Sequence, residues 1–397
     1  MSFKAYPSAW ALHEAVRAAA TRWHRQQLLT DAQQAVIEAA YPLNFFRPGW
    51  LLRVVLFVFT GIGCASATGF VLMLTGAHNS RFDITVGGIV CAAGSLATLE
   101  LTIKNARPYH AGYDNALLYA ALLALLVLGA DALQGILGSQ DFYSISDPRL
   151  RPLLLFAGAL LAVATVRYAD RGTAAASFVT GLLVLINLAL PLALGRALLP
   201  FLLMLAAAGA GWLVRHLAQR PDYFYYRTCL QTVKALALAI FYLGGNYFMV
   251  REGNAAVGHL PFAPQIPFAP LFYALTALIP LAYLYYGLLR HNRLVLVIGL
   301  LAVTFSVFTL RYYRTLLPPA VAATLAGALL LAVAAAALRY LRIPRRGLTA
   351  APDDETAPLF NLESLVVAQY NVPGHVPAAG FKFGGGDSGG GGATGQF

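Results

Sequence analysis

The chain has 397 residues, of which 59% are hydrophobic and only 11% charged, with a mean hydropathy of +0.65. That balance excludes a water-soluble globule of this length, whose surface would need far more charge. The formal charge of +11, from 28 basic against 17 acidic residues, is too dilute for a nucleic-acid footprint and reads as a topology signal instead.

Residues 1–50 precede the first long apolar stretch. Leu12, Val16, Ala19 and Trp23 recur at helical spacing while Arg17, Arg22 and Arg25 fall on other faces, which predicts a short amphipathic helix. Thr30 and Gln33 form a capping-box pattern for a second helix that Pro42 ends. This hairpin reads as a cytoplasmic cap packed on a membrane bundle, with a grip on anionic headgroups or on a partner protein as the functional alternative. Nothing before residue 50 has the apolar core and cleavage site of a secretory signal, so the first apolar stretch is expected to direct insertion and be retained.

Crossing the hydrocarbon takes about 20 mostly apolar residues in a helix, because lipid offers no partner to an unpaired backbone amide. Ten stretches approach this: 52–74, 84–103, 115–135, 151–168, 173–192, 196–216, 230–250, 268–289, 293–311 and 318–340. The expected architecture is an all-α polytopic transmembrane bundle of about ten spans within residues 51–341. The fifth and sixth spans are the least clearly separated, since only Pro191, Gly195 and Arg196 interrupt the run. On this count Arg81, Arg149, Arg151, Arg196, Arg251, Arg311 and Arg314 fall on one side and the other twenty-one of the 28 basic residues on the other. The positive-inside bias then predicts both termini in the cytoplasm.

Between the seventh and eighth spans, Pro261, Pro264, Pro267 and Pro270 repeat every third residue, which predicts a stiff outer flap whose phenylalanines meet the interface. Residues 342–397 form a cytoplasmic tail with an acidic patch at Asp353, Asp354 and Glu355 and a short helix around Leu359 to Tyr370. From about residue 380 the tail is glycine-rich and expected to be disordered.

Ionisable residues within the spans mark places of interest, because each costs free energy unless paired or wetted. Glu100 and Lys104 stand at pairing distance on one helix. Asn246, Tyr247, Arg251, Glu252, Arg311, Tyr312, Tyr313 and Arg314 gather near the outer face, where arginine forks ringed by tyrosines would suit a phosphate or carboxylate. The ordinary alternative is snorkelling arginines in an aromatic belt.

Motifs for catalysis are lacking: there is no His-Glu-x-x-His, Gly-x-Ser-x-Gly, phosphate-binding glycine loop with lysine, or Cys-x-x-Cys. Asp114 and Asp131 lie on one helix about 25 Å apart and cannot form a dyad. The histidines lack ligand spacing, and Cys64, Cys91 and Cys229 read as small buried residues. No catalytic residue, metal, cofactor or nucleic-acid partner is expected.

The order of Leu28 to Gln34, Gly245 to Glu252 and Leu310 to Tyr313 along a multi-span chain resembles an uncharacterised family of bacterial multi-pass membrane proteins with an N-terminal helical hairpin. The resemblance implies a bacterial inner-membrane location and carries no activity. The glycine-rich end is similar in composition to those of several bacterial envelope proteins. The expected role is a non-enzymatic envelope scaffold or sensor that recruits a cytoplasmic protein through its hairpin or tail. The alternative is a permease or lipid-handling transporter whose outer rim binds an anionic lipid or small anion.

Overall fold

A computed structural model describes residues 3–74, 81–137 and 145–313, apart from 193, 259 and 261, together with scattered positions from 321 to 342. Two short helices, α1 (Ser8–Arg25) and α2 (Asp31–Ala40), precede the long ones. These are α3 (Trp50–Leu74), α4 (Arg81–Asn105), α5 (Tyr113–Leu137), α6 (Arg151–Tyr168), α7 (Arg171–Ala189), α8 (Gly195–Leu217) and α9 (Tyr223–Gly245). A shorter α10 (Tyr247–Val257) leads to α11 (Ala269–Leu289) and α12 (Arg293–Tyr313). Among the described residues the fold is all-α, and nine helices, α3 to α9 with α11 and α12, are long and apolar enough to cross a bilayer. The predicted tenth span at 318–340, Arg314 and the tail lie wholly or mostly outside the described residues.

Consecutive helices pair as hairpins, α4 with α5, α6 with α7, α8 with α9 and α11 with α12, while α9 also touches α1, α7, α11 and α12 and so joins the two halves. Large apolar side chains face outward, among them Phe59, Leu205 and Trp212. Such a surface is stable where lipid is the surrounding solvent, since lipid is as apolar as the side chains themselves.

Three features differ from or sharpen the sequence expectations. The fifth and sixth spans are separate helices, joined by a turn at which a Cβ on Gly195 would sit 1.7 Å from the Ala189 carbonyl oxygen. Only glycine tolerates that approach. The seventh span runs Tyr223–Gly245 rather than 230–250, because Asn246 turns extended (ψ 126°) and its side chain accepts the Met249 amide, capping α10 as a new helix. Glu100 does not turn to Lys104. Its Oε1 receives Arg167 Nη2 at 2.7 Å and the Tyr168 hydroxyl at 2.7 Å, from a neighbouring helix whose fork offers better geometry than a helical step.

The hairpin forms with the expected capping box, Thr30 and Gln33 exchanging both hydrogen bonds. Its packing face differs from the stripe read in the sequence. Leu12 and Trp23 are exposed, while Tyr6, Trp10, Ala11 and Ala20 are buried. The lead-in before α1 places Tyr6 in the bundle, where its hydroxyl reaches Asp114 Oδ2 at 2.9 Å, and the Trp10 side of α1 is buried with it.

Candidate functional site

At the end of the bundle that carries the hairpin, two tight connections each place an aspartate at a helix start. The α4–α5 loop bends through left-handed backbone at Arg107, His110 and Gly112, whose φ values are 49°, 49° and 104°. Phe46 pins it by accepting the Tyr109 amide (3.0 Å) and donating to the Arg107 carbonyl (2.9 Å). Gly112 lies against α3, where an added Cβ would come 2.1 Å from the Arg53 carbonyl oxygen. The turn thus requires glycine twice over, for its φ and for the close approach. It delivers Asp114, whose Oδ1 accepts the amides of Gly112 and Asn115, both at 3.0 Å.

The α6–α7 connection is shorter and bends at Ala169, φ 48°. Asp170 then caps α7, its Oδ2 accepting the Thr173 amide at 2.8 Å and the Tyr119 hydroxyl at 2.7 Å. Both aspartates are 1% exposed. Their outer coordination differs. Asp114 Oδ2 receives the Tyr6 hydroxyl of the N-terminal segment at 2.9 Å, so both its oxygens are engaged. Asp170 Oδ1 is buried with no hydrogen-bond partner among the described residues, as is Arg53 Nε on α3. Such orphan groups cost free energy and cluster where a structure stores strain for a purpose.

Burial pushes the His110 imidazole below its ordinary range, against the opposing pull of Asp114 and Asp170. The Tyr6 phenol is pushed well above its usual value by burial and by the Asp114 carboxylate beside it. Around these groups Tyr6, Trp10, Phe45 and Tyr109 form an aromatic set with ring centroids 5.1 to 6.3 Å apart, in which Tyr109 meets the other three edge-to-face.

The hairpin is clamped by further bonds. The Ala5 amide donates to the Arg167 carbonyl at 2.9 Å, Arg167 Nη1 donates to the Phe3 carbonyl at 3.2 Å, and Lys4 pairs with Asp222 at 2.7 Å. Within it Arg17 pairs with Glu38 and Arg47 with Glu14. Chemically this end is a desolvated carboxylate pair with phenol donors, able to couple hairpin position to hydrogen bonding. Among the described residues no group of three or more His, Cys, Asp or Glu could hold a metal ion.

At the opposite end the expected rim residues are only partly gathered. Asn246 is fully buried, its amide nitrogen reaching Tyr242 Oη at 2.9 Å and Thr309 Oγ1 at 3.1 Å. Tyr247 stacks on Tyr273 at 4.0 Å and meets Tyr313 edge-on at 5.0 Å. Arg251 lies over the Tyr313 ring, and Glu252 accepts the Tyr313 hydroxyl at 2.5 Å. Arg311 sits about 200° around α12 from Tyr313 and is exposed. Tyr312 packs edge-on against Phe248. Arg314 lies outside the described residues.

Tyr6, His110, Tyr119 and Asp170 were not singled out by sequence reasoning, and Asp114 was weighed only against Asp131. The available signal was positional: Tyr113-Asp114 and Ala169-Asp170 each stand where a polar loop meets a long apolar run. Comparison with family models, curated proteins and solved structures returns no match for this chain.

Proposed function

We propose that this multi-pass membrane protein is a non-enzymatic scaffold or sensor of the bacterial inner membrane, with its hairpin end in the cytoplasm. The excess of basic residues on that end supports the orientation. The observation that carries the role is the Tyr6–Asp114 bond, which ties the N-terminal hairpin to a buried carboxylate at the start of α5. A change of helix packing at that end moves the hairpin, and a partner on the hairpin biases the packing, since any such coupling is reciprocal.

The remainder of the bundle favours a static role. Its buried polar groups on α9, α11 and α12 are satisfied by one another: Ser306 donates to the Thr276 carbonyl at 2.6 Å, and Thr309 bonds Asn246. Asn187 is closed off in the same way by Arg151 and the carbonyls of Ile145 and Asp147. The test is in-cell crosslinking with the full chain, a deletion of residues 1–47 and a deletion of residues 347–397. A scaffold loses a crosslinked partner in one truncation while the bundle still inserts. Retention of every partner and of the growth phenotype in both truncations would remove the reading.

A further inference from the structure

The Nε–Nη2 edge of an arginine presents two parallel N–H donors, spaced for the two oxygens of a carboxylate or phosphate. In Arg251 both donors converge on a single neutral acceptor, the Ala263 carbonyl oxygen, at 3.0 Å from Nε and 2.7 Å from Nη2. The third contact is also neutral, Nη1 to the Tyr247 hydroxyl at 3.3 Å. The guanidinium lies 4.7 Å from the Tyr313 ring centroid and 5.9 Å from that of Tyr247, a cage that holds and partly desolvates the cation. The carboxylate next along the chain, Glu252, accepts the Tyr313 hydroxyl.

Ala263 belongs to the proline-rich flap between α10 and α11. Among its described residues, Ile266 anchors that flap: it is 5% exposed and packs in the cluster of Tyr247, Ala269 and Phe272. By contrast Phe262 is 86% exposed. A strap held by an apolar anchor and a shared carbonyl is displaceable by a ligand that offers the fork two charged oxygens, because each N–H then has its own acceptor in a bidentate pair and the cation gains an opposite charge that the carbonyl lacks.

We infer that Arg251, Tyr247 and Tyr313 form a binding site for a phosphate oxyanion, and that the Ala263 carbonyl occupies the oxyanion position until the flap is displaced. The inference rests on the rim residues and not on the hairpin, so it stands or falls separately from the scaffold role. Two sources present this chemistry at a bilayer surface, a phospholipid headgroup and free phosphate.

The purified full chain is assayed in two arms, with inorganic phosphate by thermal shift in detergent and with phosphatidylglycerol retention by native mass spectrometry from nanodiscs. Ile266→Ala loosens the strap and leaves the fork, so it binds about tenfold more tightly than wild type in whichever arm supplies the natural source. Arg251→Lys keeps the charge but loses the fork and binds about tenfold more weakly. Response to phosphate alone assigns a solute, and response to phosphatidylglycerol alone assigns a lipid. Binding that is equal in wild type and Arg251→Lys, or absent from both wild type and Ile266→Ala in both arms, overturns the site.

Discussion

Tyr6 and Asp114 are 108 positions apart in the chain and 2.9 Å apart in the fold, joined by a buried hydrogen bond from phenol to carboxylate. It buries Tyr6 of the N-terminal segment among the loops and helix starts at one end of the bundle. Removing the hydroxyl leaves Asp114 Oδ2 buried without that donor, and a hydrogen bond to a charged group is worth about 1.5–3 kcal/mol. Tyr6→Phe is therefore expected to loosen the hairpin, seen as faster hydrogen exchange in residues 8–25 with little change in α11 and α12. Unchanged exchange in α1 would show that the bond does not hold the hairpin.

The two aspartates predict unequal responses to the same isosteric change. Asp114 uses both oxygens as acceptors, so Asp114→Asn turns an amide N–H₂ toward a donor and costs about 1–3 kcal/mol. Asp170 uses only Oδ2 and leaves Oδ1 orphaned, so Asp170→Asn keeps the Tyr119 and Thr173 bonds and stays within about 1 kcal/mol of wild type. Thermal unfolding of the two variants in one detergent gives the ranking. A greater loss at position 170 contradicts the account of the orphan oxygen.

Gly112→Ala combines a φ of 104° with a Cβ forced to within 2.1 Å of the Arg53 carbonyl oxygen. Neither α3 nor the loop can give way cheaply, because the other contact is backbone. The expected loss is about 3 kcal/mol or more. An alanine variant with near wild-type melting temperature would mean that α3 is free to shift there.

His110 predicts an acid limb of stability. Burial lowers its folded-state value from the ordinary one, opposed by Asp114, Asp170 and its bond to Asn115, with Arg47 adding to the lowering. The unfolded chain then binds the extra proton between the two values, so stability is full above about pH 6.5 and falls as pH drops toward the folded value. His110→Gln is expected to flatten the unfolding midpoint against pH in that window. An unaltered slope in the variant assigns the acid limb to other groups.

How much of this was legible differs from residue to residue. The capping box at Thr30 and Gln33 is visible in sequence, because it acts through bonds within a few residues. The apolar stretches are visible for the same reason, since 1.5 Å per residue and the thickness of a bilayer set a helix's length without reference to its neighbours. For Glu100 the sequence offers Lys104 as a candidate partner one helical step away, whereas the partner it takes, Arg167, is 67 positions away.

Composition and spacing by themselves determined that the chain is helical, that its helices are long enough to span lipid, and where most of them begin and end. Tertiary structure alone decided that Tyr6 closes on Asp114, that Asp170 keeps an unpartnered oxygen, and that the Arg251 fork rests on a flap carbonyl. Hydropathy is summed along one segment, whereas these contacts depend on which helix ends the loops bring together. A buried hydrogen bond is set by angstroms of approach between segments the sequence lists far apart.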